Sequence, residues 1–149
     1  MIKRYIIFIA FVGLLFIVPG CADDDLENAP AYATITINPS AYTLSDGTGV
    51  TTTHTQYFHI VVKDANGFPF ENIKLTIAFV WAEPDHYGLV QFYHGGSPVD
   101  SPFNVLTDGE GAYLLRMDFK SGVWEYSGTL EVTSGSGYGS ADFDVNTGE

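Results

Sequence analysis

From Ala31 onward the chain is cut into short apolar or alternating runs by Gly, Asn, Asp and Pro, and no window of about eleven residues carries a helical apolar stripe. Period-two alternation places successive side chains on opposite faces of a sheet, so each run reads as a half-buried strand. The pattern predicts a first strand at 33–38, with Ile35 and Ile37 on one face. After Pro39, residues 41–44 continue along the opposite sheet edge. A second strand at 54–63 turns Phe58, Ile60 and Val62 to one side, and a third at 73–80 aligns Ile73, Leu75, Ile77 and Phe79. Shorter strands follow at 88–93 and 103–107. The run at 112–119 alternates Tyr113, Leu115, Met117 and Phe119, and a closing pair at 126–133 and 139–145 carries Leu130, Val132, Ala141, Phe143 and Val145. Residues 45–49, 81–87 and 94–102 read as loops, and 64–67, 108–111, 121–122 and 134–137 as turns. Asn66-Gly67 supplies the positive φ that tight hairpins need. The expected fold is an all-β antiparallel sandwich of about seven to nine strands, spanning residues 32–147.

What precedes the strands has another character. Lys3 and Arg4 are followed by fourteen uncharged residues, 5–18, rich in Ile, Phe, Leu and Val. As a helix this run spans roughly 21 Å. A bilayer core of about 30 Å needs about 20 apolar residues, so a cleaved export leader fits better than a membrane span. Pro19 and Gly20 break the helix before Cys21, the one cysteine of the chain.

Val18-Pro19-Gly20-Cys21 resembles the lipobox of bacterial lipoprotein signals. Val18 and Gly20 match its usual form, and Pro19 departs at the permissive middle position. The resemblance implies cleavage between Gly20 and Cys21, with 1–20 removed, and acylation of Cys21. Two or three acyl chains would anchor firmly, since each buried CH₂ adds about 0.8 kcal/mol. Residues 21–31 read as an acidic, solvated tether. Ala22, rather than Asp, after the cysteine implies the outer membrane by the usual sorting pattern. The acidic run Asp23-Asp24-Asp25 resembles the surface-export signal of lipoproteins in Bacteroides-type bacteria.

Without the leader, Lys63, Lys74, Arg116 and Lys120 stand against all 18 acidic residues. So acidic a molecule repels phosphate backbones and anionic headgroups, which argues against nucleic acid as a partner and leaves the acyl chains as the membrane contact.

Two turns carry a family resemblance. Val61-Val62-Lys63-Asp64-Ala65-Asn66-Gly67-Phe68-Pro69, and later Thr107-Asp108-Gly109-Glu110-Gly111-Ala112, resemble the V-x-D-x-x-G-x-P and T-D-x-x-G signatures of bacterial Ig-like domains of the invasin/intimin type. Ile35-Thr36-Ile37-Asn38-Pro39-Ser40 looks like the first strand and kink of that family. The resemblance covers roughly residues 33–146. It implies an Ig-like sandwich used as a rod, spacer or adhesive tip, with no catalytic residues of its own. Asp64, Asn66, Gly67, Pro69, Asp108, Gly109 and Gly111 are then structural turn residues. Carboxypeptidase-regulatory-like and transthyretin-like sandwiches use similar turns and are the second match. The segment 81–102 is longer and more aromatic than the family pattern.

No residue set rises to a catalytic expectation: there is no nucleophile-elbow motif, and the chain is expected not to be an enzyme. His86 and His94, with Glu83 and Asp85 near, fit no metal spacing. Asp64/Asn66, Asp108/Glu110 and the pair Asp142 and Asp144 fit no EF-hand, so no metal or cofactor is expected; calcium would require two loops paired at one end of the sandwich. The aromatics Trp81, Tyr87, Phe92 and Tyr93 are the candidate ligand-binding residues, because loop-borne rings stack on sugars or anchor protein partners. Whether that partner is a protein or a glycan stays open at this level.

Overall fold

The computed structural model describes residues 27–83, 86 and 88–148. The leader, Gly20, Cys21 and most of the tether, together with Asp85 and Tyr87, lie outside the described residues. Among the described residues no helix is long and apolar enough to cross a membrane. The described residues form ten strands: β1 (Thr34–Asn38), β2 (Ala41–Ser45), β3 (Thr52–Lys63), β4 (Lys74–Trp81), β5 (Val90–His94), β6 (Ser97–Val99), β7 (Phe103–Leu106), β8 (Ala112–Ser121), β9 (Tyr126–Ser134) and β10 (Gly137–Asn146). The alternation read from the sequence matches the observed burial: in β3 and β8 every second residue is buried from Phe58 to Val62 and from Leu115 to Phe119.

The strands form two five-stranded sheets, ordered β1-β3-β8-β5-β6 and β2-β10-β9-β4-β7. Pro39, which has no N–H to offer a ladder, separates β1 from β2. The chain changes sheets there, and β2 runs parallel to β10 while the other pairs are antiparallel. This spatial order is that of immunoglobulin sandwiches, strands A, B, E and D facing A′, G, F, C and C′. A second mark agrees. Tyr126, the first residue of β9 in the F position, is buried, and its hydroxyl donates back to the Lys120 carbonyl at 2.8 Å. That is the tyrosine corner of Ig-like sandwiches. Burial pushes the Tyr126 phenol well above its ordinary range.

Three expectations are corrected. Residues 94–102 are not one loop: β6 lies within them, paired to β5 as a hairpin in the D position, before the chain returns to C′ as β7. The segment is long because it holds a hairpin and a crossing. The turn at 64–67 does not make a simple hairpin, since β3 and β4 belong to different sheets. The sandwich also starts before residue 32. Glu27 accepts from the Lys74 N–H at 2.9 Å, and Ala29, itself buried, donates to Ser134 Oγ at 2.7 Å.

The core lies between the sheets. Phe143 is its hub, with ring centroids 4.9 Å from Phe119, 5.4 Å from Tyr42 and 5.9 Å from Phe79. Each such fully buried side chain contributes on the order of 1.5–3 kcal/mol of transfer free energy. One side of the sandwich is closed by β1 lying on β10. A Cβ at Gly139 would sit 2.8 Å from the Ile35 carbonyl oxygen, so this approach requires glycine. Among the described residues the other side is open, because β7 pairs only with Lys74–Ile77 of β4.

Candidate functional site

Of the described aromatic candidates, Trp81 and Phe92 line one cleft and Tyr93 lies apart from it. Phe92 is 3% exposed and packs among Phe79 and Phe103, at 6.2 and 5.7 Å between centroids, so it belongs to the core. Trp81 ends β4 and lies edge-on to Phe79 at 4.9 Å, with Tyr126 at 5.7 Å. It forms one wall of a cleft of about 650 Å³ on the open side, floored by Phe79, Val90 and Phe92 and rimmed by Asp100 and Ser101. Ser101 Oγ accepts the Phe79 N–H there at 2.9 Å. Strand alternation sends Tyr93, next to Phe92, to the opposite side of the sheet.

On that outer side a different constellation appears. Arg116 on β8 pairs in register with Tyr57 on β3 and with Tyr93 on β5, so three adjacent strands line up Tyr57, Arg116 and Tyr93. The guanidinium carbon lies 4.3 Å from the Tyr93 ring centroid. Asp118 takes both its Nε (3.0 Å) and Nη2 (2.7 Å) donors, and Thr55 Oγ1 donates to the same carboxylate at 2.7 Å. The Arg116 hydrogen bonds hold the Asp118 carboxyl below its usual range, and the same bonds raise the Arg116 pKa. Leu114, opposite His59, stands in the next row and is 60% exposed; Tyr57 is 50% exposed. Sequence reading named Tyr93 but missed Tyr57, Leu114 and Arg116. Each strand contributes one to three residues to the constellation, and only the cross-strand register assembles them.

The two signature turns meet at one end and serve as structure. Asp64 Oδ1 accepts the Asn66 and Phe68 N–H groups at 2.8 and 2.9 Å, and Asp108 Oδ1 accepts those of Glu110 and Ala112, both at 2.9 Å. The bond from Phe68 is the main reason the Asp64 carboxyl lies below its usual range. Gly111 has φ +68°, and a Cβ there would sit 2.7–2.9 Å from Val62 O, Phe70 N and Pro69 Cβ. Its own carbonyl accepts the Val62 N–H at 2.8 Å, tying the second turn to the first. Thr107, buried, receives the Ile73 N–H and donates to the Phe70 carbonyl. Phe68, beside Pro69 in the first turn, is 68% exposed. Among the described residues no three His, Cys, Asp or Glu side chains converge as metal ligands. His94 Nδ1 lies 2.8 Å from the Tyr113 hydroxyl, while His86 packs near Trp81 at the other end of β5.

At the far end, Ser121 Oγ donates to Asp46 Oδ2, and His54 Nε2 lies 3.4 Å from the same oxygen. The serine is bonded to the carboxylate and not to the histidine, which is not the order a nucleophilic relay requires. The three residues clasp the β2–β3 loop to the end of β8, and the Gly49 N–H donates to the Gly122 carbonyl beside them at 3.1 Å. Val50, Val123 and Trp124 are exposed on these two joined loops.

No family model matches the sequence, and no curated protein matches it. Among solved structures, a conjugative transposon lipoprotein from Bacteroides eggerthii is similar with TM-score 0.47 and 16% identity, over 77% of this chain and 97% of that one. A PapD-like domain of human CEP192 is similar with TM-score 0.41 and 10% identity, over 82% and 91%. From its own topology and tyrosine corner, the chain is an all-β, Ig-like sandwich.

Proposed function

We propose that this chain is a lipid-anchored, non-enzymatic Ig-like module of the bacterial envelope that holds a binding surface away from the membrane. The observation that carries this is where Glu27 and Ala29 dock. Glu27 and Ala29 bond to the end of the sandwich formed by the start of β4 and the end of β9. The six steps from Cys21 to Glu27 reach at most about 20 Å. With Cys21 acylated, that end of the sandwich stays close to the bilayer. The loops bearing Val50, Val123 and Trp124 lie at the other end, about 40 Å further along the twelve residues of β3. Gly148 lies at this far end too, beside Ser45 and Gly47.

Kinship with invasin/intimin-type domains is supported by the two turn motifs, which meet and tie into one another. Outer-membrane placement follows the sorting pattern at Ala22 and is part of the same proposal. The test is Cys21→Ser followed by fractionation. The variant is expected in the soluble fraction, and retention in the membrane would overturn the anchored reading.

A further inference from the structure

We infer that this protein pairs with a second copy of itself on the same membrane, β3 of each copy adding to β2 of the other along one side of the sandwich. This rests on the anchored reading, which fixes how the two copies are turned, and goes beyond it by naming the surface and the partner.

The side in question is the one where the chain changes sheets. β1 covers β3 only over residues 59–63, and after Asn38 the chain leaves for the other sheet as β2. Among the described residues, no strand pairs with the β1 side of residues 52–58 or with the side of β2 that faces away from β10. The free backbone groups follow from alternation. The Val62 N–H donates to the Gly111 carbonyl, so even-numbered residues of β3 bond toward β8, and Thr53, Thr55 and Tyr57 turn their N–H and C=O groups out of the edge. Ser40 accepts the Asp142 N–H and Asp46 donates to the Asn146 carbonyl, so Ala41, Thr43 and Ser45 turn outward from β2. The Tyr57 carbonyl takes the Gln56 side-chain amide at 2.6 Å, which stands where an added strand's N–H would come.

The geometry of the two edges selects the occupant. Asn38 pairs with His59, and His54 reaches Asp46 at 3.4 Å, so β2 runs antiparallel to residues 52–58 at the same height in the facing sheet. A foreign extended peptide fills one such edge. A copy turned about a two-fold axis along the strands fills both, because it brings its β2 to β3 and its β3 to β2. Thr55 then faces Thr43, Thr53 faces Ser45 and Tyr57 faces Ala41, and their outward groups meet. Tyr42, Leu44, His54 and Gln56, half-buried at the seam in one copy, are covered by the other. The axis keeps both Glu27 ends on one side, as anchoring in a single bilayer requires.

Charge and edge protection agree. Free edges are ordinarily guarded by Lys, Pro or short length. β6 carries Pro98 and β7 has four residues, whereas β2 and residues 52–58 hold neither charge nor proline in a strongly acidic chain. The nearest strand charges lie one strand inward, on β8 and β10. Across the joint these strands stand three spacings apart, about 14 Å. That exceeds the screening length of about 8 Å, so like charges do not oppose the contact.

The test is disulfide trapping in membranes that carry the full chain, with Thr43→Cys and Thr55→Cys chains coexpressed. Facing residues of a hydrogen-bonded antiparallel pair lie about 5.5 Å apart between Cα atoms, within disulfide range. Mild oxidation should yield a dimer of one chain of each kind, and neither variant should crosslink with itself. Asn104→Cys, on the opposite edge, should not crosslink with Thr55→Cys. Thr53→Pro removes only an N–H of the open edge, so adding it to the Thr55→Cys chain should cut the yield at least about tenfold while circular dichroism and Tm show a folded protein. The proposal is overturned if Thr43→Cys and Thr55→Cys do not crosslink, or if the folded proline variant crosslinks as before. It is also overturned if Thr55→Cys joins itself, which would turn the copies head to tail, or joins a different envelope protein, which would assign the edge to a foreign strand. The anchor is judged separately: a membrane-bound Cys21→Ser variant would overturn the anchored reading and leave the crosslinking result intact.

Discussion

The two outer faces of the sandwich are built by the same alternation over the same core, yet they present different chemistry. On the β2-β10-β9-β4-β7 face, Tyr138, Thr133, Thr76 and Asn104 form one row across four strands. Tyr138 is exposed there, but its hydroxyl donates to Glu131, and the neighbouring row positions are threonine. On the other face, Tyr57, Arg116 and Tyr93 occupy a row with no threonine between them, and Leu114 stands in the next row beside His59. One face separates its large side chains with small polar ones and carries the carboxylates. The other groups its aromatic, aliphatic and cationic side chains. Burial constrains the inward positions of both sheets equally, so the outward positions are where such a difference can arise.

If both faces are surfaces of one core, damage at its hub must remove them together. Phe143→Ala, at a site 1% exposed and in ring contact with both sheets, should lower stability by about 3–5 kcal/mol. Thermal and urea unfolding should then give one shifted transition. Two separate transitions would mean that the faces belong to independently stable layers. A smaller effect is expected at the corner joining β8 of one sheet to β9 of the other. Tyr126→Phe keeps the ring and leaves the Lys120 carbonyl without its donor, at a cost of about 1 kcal/mol by chemical denaturation. An unchanged midpoint would remove the corner as a link between the sheets.

The smallest effect is electrostatic and sharpens the contrast on one face only. Asp118 is depressed in the fold, so its contribution is fully present above its unfolded pKa, near 3.9, and is lost as pH falls through the lower folded value. Tm should therefore fall on acidification below about pH 4. Arg116→Ala raises the folded pKa of Asp118 and should diminish that acid-side dependence. An identical acid limb in the variant would mean that the ion pair seen beside Tyr93 is not maintained in solution.

Much of the fold was legible because burial imposes period two on a strand. Phe58, Ile60, Val62, Leu115, Met117 and Phe119 could be read as inward from alternation alone. The signature turns were legible for a local reason: Asp64 and Asp108 cap amides two and four residues away. β6 was not legible, since Gly95-Gly96-Ser97-Pro98 reads as loop and is drawn into the sheet only by pairing with β5. Docking of the tether was hidden for a similar reason, because the partners of Glu27 and Ala29 are Lys74 and Ser134, far along the chain. Phe92 and Tyr93 look equivalent as neighbouring aromatics. The pleat places one in the core and the other outside.

The sequence by itself determined the class of fold, the turn chemistry and the strongly acidic charge, and it marked Cys21 as the expected point of attachment. These follow from interactions within a few residues or from composition. The tertiary structure alone decided which sheet each strand joins, and that three of the four cations beyond Cys21 share one of those sheets. Thr55 and Asp118, which help to hold Arg116 in place, are 63 residues apart in the chain. No local pattern encodes such a pairing; it arises when two long strands close in register and bring distant side chains into hydrogen-bond range.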